Sequence, residues 1–182
     1  MRLGVLCSGN GTNFENILRT CNKDEVVLMI HNKKDCGAAR RAEKFGIPHC
    51  HISHKHEDQI IQLMQAWRVD LIVLAGWMKV ISPEFVKAFP KRIINLHPSL
   101  LPKYKGLHAV EQALEAGEKT TGCSVHYVTE ELDAGEVIIQ SEVPIEPDDT
   151  VETLTPRIQR KEYAILPAAI EHVKHKIPTP TH

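Results

Sequence analysis

The run Leu71-Ile72-Val73-Leu74-Ala75 is apolar at every position. A strand with one face in water alternates polar and apolar residues, so an unbroken run of this length predicts a strand covered on both faces, as in a parallel sheet packed between helices. Further apolar runs of strand length occur at 3–7, 26–30 and 93–96, and helix-period segments separate them at 12–20, 36–45 and 57–67. That alternation predicts a mostly parallel α/β sheet. Later in the chain, 124–128 and 137–143 read as strands joined only by residues 129–136. The connection is too short for a helical crossover, so this pair is expected to run antiparallel.

The predicted architecture is a single-domain, Rossmann-like mixed sheet, mostly parallel, with an antiparallel C-terminal strand pair and helices on both faces. A chain of 182 residues fits one domain, read as residues 1–176 followed by a frayed tail at 177–182. The last helix is expected to start near Asp149-Thr150-Val151-Glu152, which has capping-box spacing, and to run to about residue 174. Pro156 and Pro167 should kink or interrupt it. A formal net charge of -1 argues against a nucleic-acid binder with a dominant basic surface. No apolar stretch has the length of about 20 residues that a membrane helix needs, and the N-terminus leads directly into a motif, so the expected location is the cytoplasm. Cys7, Cys21, Cys36, Cys50 and Cys123 are odd in number and widely spaced, and are expected to be free thiols.

Ligand sites in such sheets gather at the carboxyl ends of the parallel strands. Ser8-Gly9-Asn10-Gly11-Thr12-Asn13 follows a strand and opens a helix, so backbone N–H groups and the positive end of a helix dipole converge there on an anion, phosphate above all. Phe14 stands where the dinucleotide fingerprint has its third glycine, and the second strand ends in His31-Asn32 instead of a carboxylate that would grip a ribose. Both features argue against a full nicotinamide cofactor, and no Gly-Lys-Ser/Thr follows to make a P-loop. A tight turn that binds nothing would need the same small residues.

Residues i and i+2 of a strand share a face, so Asn95 and His97 should present an amide and an imidazole to one side of a strand end made rigid by Pro98 and Pro102. Acyl transfer to an amine builds negative charge on oxygen while the nitrogen loses a proton. An asparagine N–H can stabilise the former and a histidine can move the latter. Asp133 lies in a turn-like connection, near a glycine, and is the candidate carboxylate to orient the imidazole. A histidine and an asparagine satisfying buried backbone groups at a strand end would give the same spacing.

The run Asn95-Leu96-His97-Pro98-Ser99-Leu100-Leu101-Pro102, followed by Gly122-x-Ser124-Val125-His126-x-Val128 and Leu132-Asp133-x-Gly135, resembles the folate-dependent formyltransferase family. With the 8–13 loop, the resemblance covers nearly the whole chain. It implies the formyltransferase fold and transfer of a formyl group from 10-formyltetrahydrofolate, a co-substrate, to the amine of glycinamide ribonucleotide in purine synthesis. Neither a metal nor a covalent enzyme intermediate is implied. Asn95, His97 and Asp133 would be the catalytic residues, with His97 the proton donor and Asp133 raising its basicity and ordering a water. Gly11, Thr12 and Asn13 would hold the phosphate, and Glu162 the glycinamide end of the nucleotide. The pteridine slot would be lined by Met78, Lys79, Val80 and Ile81, by Asn95, and by Thr129, Glu130, Glu131, Leu132 and Asp133. Independently of the resemblance, Ile158, Glu162 and Ile165 share a helical sector, which puts a carboxylate into an apolar stripe where it needs a partner.

Two positions depart from the family pattern. Where many relatives carry an arginine toward the folate's glutamate tail, this chain reads Ser53-His54-Lys55-His56, so Lys55 is the candidate substitute, and the chain stops soon after its last helix. His49, His51, His54 and His56 could be read as metal ligands, but no carboxylate or thiolate set completes the pattern, and a solvated strand end accounts for them. His126 reads as structural and His108 as the start of a helix at 108–116, whereas Trp77 fits the folate slot or the core equally well. The partners implied are small molecules; a monomer and a homodimer suit the sequence equally. Rival readings are a formyltetrahydrofolate hydrolase or another folate-dependent formyltransferase, both expected to carry extra domains, and a noncatalytic nucleotide-binding module.

Overall fold

The computed structural model describes residues 1–177. In chain order the elements are β1 (Leu3–Cys7), α1 (Thr12–Thr20), β2 (Val26–His31), α2 (Gly37–Phe45), β3 (His49–His51), α3 (Glu57–Ala66), β4 (Leu71–Leu74), α4 (Pro83–Ala88), β5 (Ile93–His97), α5 (Ala109–Glu115), β6 (Thr120–Tyr127), β7 (Val137–Pro144) and α6 (Val151–Lys174). The strands form one seven-stranded sheet in the order β3-β2-β1-β4-β5-β6-β7. Pairing is parallel from β3 through β5, and β6 runs antiparallel to both β5 and β7.

Strand alternation divides the buried residues between two cores. Leu3, Val5, Cys7, Leu71 and Val73 point to one face, where α1, α2 and α6 cover them; Leu6, Ile72, Leu74 and Ile93 point to the other, against Ile60 and Met64 of α3 and Phe85 of α4. Strand order reverses between β1 and β4, because β2 follows β1 on one side and β5 follows β4 on the other. The loops after them therefore diverge and leave a crevice.

Several expectations need correction. α6 is one continuous helix through Pro156 and Pro167. A proline cannot donate to the carbonyl four residues back, and at Pro167 that carbonyl belongs to Tyr163, which accepts instead from Asn16 Nδ2 at 2.8 Å. The helix N-cap is Thr150, whose capping box closes with Thr153. Asp149 lies outside it and accepts from Arg157 and Thr153. β6 begins earlier than expected, at Thr120, because Gly122 permits the Ser141 backbone to approach where any Cβ would collide. The sequence reading also omitted α4, a single short helix capped by Ser82 with Pro83 opening it. Of the proposed frayed tail, residues 178–182 lie outside the described residues.

Candidate active site

A cleft of about 670 Å³ opens at the carboxyl ends of β4 and β5. β5 delivers Asn95 and His97 to it from one face, as their spacing requires, and antiparallel pairing sets His126 of β6 directly across from Asn95. Asp133 arrives from the connection between β6 and β7. Its backbone is left-handed, with φ 50°, a conformation that aspartate tolerates better than most residues. Gly135 follows with its Cα packed on the Tyr127 carbonyl so closely that no side chain fits.

The polar groups meet at short range. His97 Nδ1 lies 3.6 Å from Asp133 Oδ2, and His126 Nε2 lies 3.4 Å from Asp133 Oδ1. All three side chains are buried. Asp133 Oδ2 also accepts from the Gly106 amide at 2.7 Å. Burial works to raise the Asp133 carboxyl, but His126, the Gly106 amide and His97 together outweigh it and hold the group below the usual carboxylate range.

Carbonyls only accept, so the contacts of His97 Nε2 with Tyr104 O at 2.8 Å and of His126 Nδ1 with Tyr127 O at 3.0 Å assign a proton to each of those nitrogens. When His126 is neutral, its Nε2 is then an acceptor and takes the Asn95 amide N–H, 3.2 Å away. When it is cationic, Nε2 donates to Asp133 instead. These two contacts therefore belong to different protonation states. In the neutral state Asn95 keeps its second N–H for the cleft.

At the other end of the cleft, Asn13 of α1 and Glu162 of α6 face each other, Asn13 Nδ2 donating to Glu162 Oε1 at 3.3 Å. Burial pushes the Glu162 carboxyl up, with the Asn13 bond opposing. Asn13 Oδ1 is buried and has no hydrogen-bond partner among the described residues. The N-cap of α1 is Gly11, which is left-handed at φ 78°, and among the described residues no side chain caps the first amides. Those N–H groups, Thr12 and Asn13 among them, have no intrahelical acceptors.

The 76–81 loop and the 129–133 stretch form facing walls. Met78 and Val80 are exposed, as is Leu132 opposite, while Ile81 is buried and Lys79 lies between them on the rim. Thr129, Glu130 and Glu131 complete the second wall. Trp77 serves both alternatives read from sequence, lining the cleft and packing in the second core. The Met78 amide donates to Ser8 Oγ at 2.9 Å, joining this loop to the 8–13 loop.

Sequence reasoning missed His126 as a member of the polar cluster, the Tyr104 and Gly106 backbone groups, and Ser8. Of these, His126 and Ser8 lay within quoted motifs, but neither was given a role in the site. His108 occupies the N-cap position of α5, without a capping bond from its side chain, and also lines the cleft. Lys55 is exposed on a short 3-10 turn and does not line the cleft. The strand-end histidines pack with His31, the last residue of β2: His49 Nδ1 lies 3.1 Å from His31 Nε2. Among the described residues no group of three or more His, Cys, Asp or Glu is arranged to hold a metal ion, and no helix is long and apolar enough to cross a membrane.

The formyl transferase family profile matches residues 1–170. The phosphoribosylglycinamide formyltransferase of Haemophilus influenzae is 39% identical, with 93% of this chain and 85% of that protein aligned. The trifunctional purine biosynthetic protein adenosine-3 of Drosophila melanogaster is 44% identical over 93% of this chain, which spans 14% of that much longer protein. The crystal structure of phosphoribosylglycinamide formyltransferase from Bacillus halodurans superposes with a TM-score of 0.91 at 38% identity, covering 95% of each chain.

Proposed function

The chain belongs to the formyl transferase family, and on that premise we propose that it transfers the formyl group of 10-formyltetrahydrofolate to the amine of glycinamide ribonucleotide, a step of purine synthesis. The observation that carries this reading is the convergence of Asn95, His97 and Asp133 in one cleft that ends at Asn13, Glu162 and the uncapped start of α1.

The nucleotide phosphate binds the amides of Gly11, Thr12 and Asn13. Its glycinamide end reaches Glu162 and Asn13, whose buried Oδ1 gains a donor from the substrate. The folate's pteridine enters between the 76–81 loop and residues 129–133, where Met78, Val80 and Leu132 cover its faces and backbone groups read its polar edge. The substrate amine attacks the formyl carbon and the carbonyl oxygen becomes an oxyanion. The free N–H of Asn95 is the donor for that charge. His97 accepts the proton that the attacking nitrogen loses, Asp133 stabilises the imidazolium so formed, and His97 returns the proton to the folate nitrogen as the oxyanion collapses and the bond from that nitrogen to the formyl carbon breaks. The five free cysteines support a cytoplasmic setting.

The test is an assay of the purified protein with 10-formyltetrahydrofolate, following loss of the formyl donor with and without glycinamide ribonucleotide. Acceptor-dependent loss is expected. Equal loss with water alone would favour a hydrolase and refute the transfer reading.

A further inference from the structure

The 8–13 loop is braced from behind by α2. Ala38 N donates to Gly9 O at 3.2 Å, and Gly37 packs so tightly on Asn10 that a Cβ would collide. One side chain dominates the contact. Arg41 Nε donates to the Asn10 carbonyl at 2.7 Å and Nη2 approaches Asn10 Oδ1 at 3.4 Å, while Nη1 meets Glu15 Oε1 at 3.1 Å.

Both contacts bear on an anion at the start of α1. The Asn10 carbonyl and the Gly11 N–H belong to one planar trans peptide unit and point in opposite directions. By holding the carbonyl toward itself, Arg41 aims the Gly11 N–H away from α2. Glu15 stands in the first turn of α1, where an uncompensated carboxylate would repel a phosphate. Its other cationic partners, Arg19 at 3.2 Å and Lys44 at 3.9 Å, have side chains 55% and 63% exposed, against 24% for Arg41. Exposed partners are screened and mobile, so Arg41 provides most of the fixed compensation.

We infer that Arg41 is a positioning residue for the ribonucleotide phosphate, acting through the Asn10 peptide and Glu15 without touching the substrate. This rests on the reading of the 8–13 loop as the phosphate site.

The test compares wild type with Arg41→Met and Arg41→Lys in steady-state formyl transfer. It adds calorimetric binding of glycinamide ribonucleotide and of its unphosphorylated riboside. Arg41→Met should raise KM for the ribonucleotide about tenfold, the size of a favourable partly buried anion interaction at a helix N-terminus, and should leave kcat and KM for the folate within about twofold. Its binding loss should be absent with the riboside. Arg41→Lys keeps the charge near Glu15 but loses the forked grip on Asn10, and should fall between the two. If Arg41→Met does not fold, the lysine variant alone decides, with an expected KM rise of about threefold. Unchanged ribonucleotide KM in the folded variants would overturn the inference, as would equal loss for phosphorylated and unphosphorylated ligands. A wild-type protein without ribonucleotide-dependent turnover would instead overturn the functional reading on which the inference stands.

Discussion

Asp133→Asn removes one negative charge with little change of shape, and the geometry sizes the consequence. The carboxylate lies 3.6 Å from His97 Nδ1 with both side chains buried. At an effective dielectric of about 20, unit charges at that distance attract by about 4–5 kcal/mol. Only the part of this attraction that grows as His97 acquires charge in the transition state accelerates the reaction. We therefore expect kcat to fall by about 10²–10³, or roughly 3–4 kcal/mol in the barrier. The fold should persist, because the asparagine oxygen can still accept from the Gly106 amide, which now bonds the carboxylate at 2.7 Å. Formyl transfer would be measured at saturating concentrations of both substrates, with thermal melting and calorimetric nucleotide binding as controls. Nucleotide affinity should stay within about threefold, since Asn13 and Glu162 pair at the other end of the cleft. A correctly folded Asp133→Asn with kcat within about threefold of wild type would show that the charge does not act on the proton in flight and would sink the proposed mechanism.

Glu162→Gln should trade function for stability. Burial raises this carboxyl in the folded chain, so folding gives up stability as pH rises from the ordinary glutamate range through the raised value. The variant should melt a few degrees above wild type at pH 7, with the gap closing on acidification, and should bind the ribonucleotide more weakly by calorimetry. Asp133 has the opposite sign: its depressed carboxyl contributes stability that is fully present above the ordinary aspartate range and is lost as pH falls through the lowered value. Acid titrations of wild type and Asp133→Asn, followed by circular dichroism, should therefore converge at low pH. Ser8→Ala takes the acceptor from the Met78 amide and should cost about 1 kcal/mol, read as a roughly fivefold rise in KM for the folate. Gly11→Ala would place a Cβ 2.7 Å from Ala38 Cα at a φ of 78°; a stability loss of about 1–3 kcal/mol is expected in urea titrations.

The parallel half of the fold was legible because strands buried on both faces announce themselves as apolar runs, as Leu71-Ile72-Val73-Leu74 does. Asn95 and His97 were legible together because a shared face follows from the period of a strand alone. His126 was not. Its place beside Asn95 depends on the register between β5 and β6, which nothing in the spacing of residues 97 and 126 fixes. α4 was missed although Ser82-Pro83 is a good start signal, because six residues give too little periodicity to detect. The prolines of α6 misled because local propensity takes no account of Asn16, a residue of α1 that occupies the carbonyl left free by Pro167.

What joins the two halves of the site is the change from parallel to antiparallel pairing at β5. β4 and β5 bring their carboxyl ends to the same edge, whereas β6, running the other way, ends near Ile94 at Tyr127. The following connection must therefore double back to bring Asp133 alongside His126 and His97. That reversal uses a left-handed aspartate and the close fit of Gly135 on the Tyr127 carbonyl, and Gly106 holds the result by bonding the same carboxylate. The carboxylate position thus depends on two loops and the imidazoles on two strands. Asn95 and His97 are placed by their own strand, whereas the position of Asp133 follows the loops that carry it. The least regular backbone in the site accordingly surrounds the charge on which the proposed proton transfer depends.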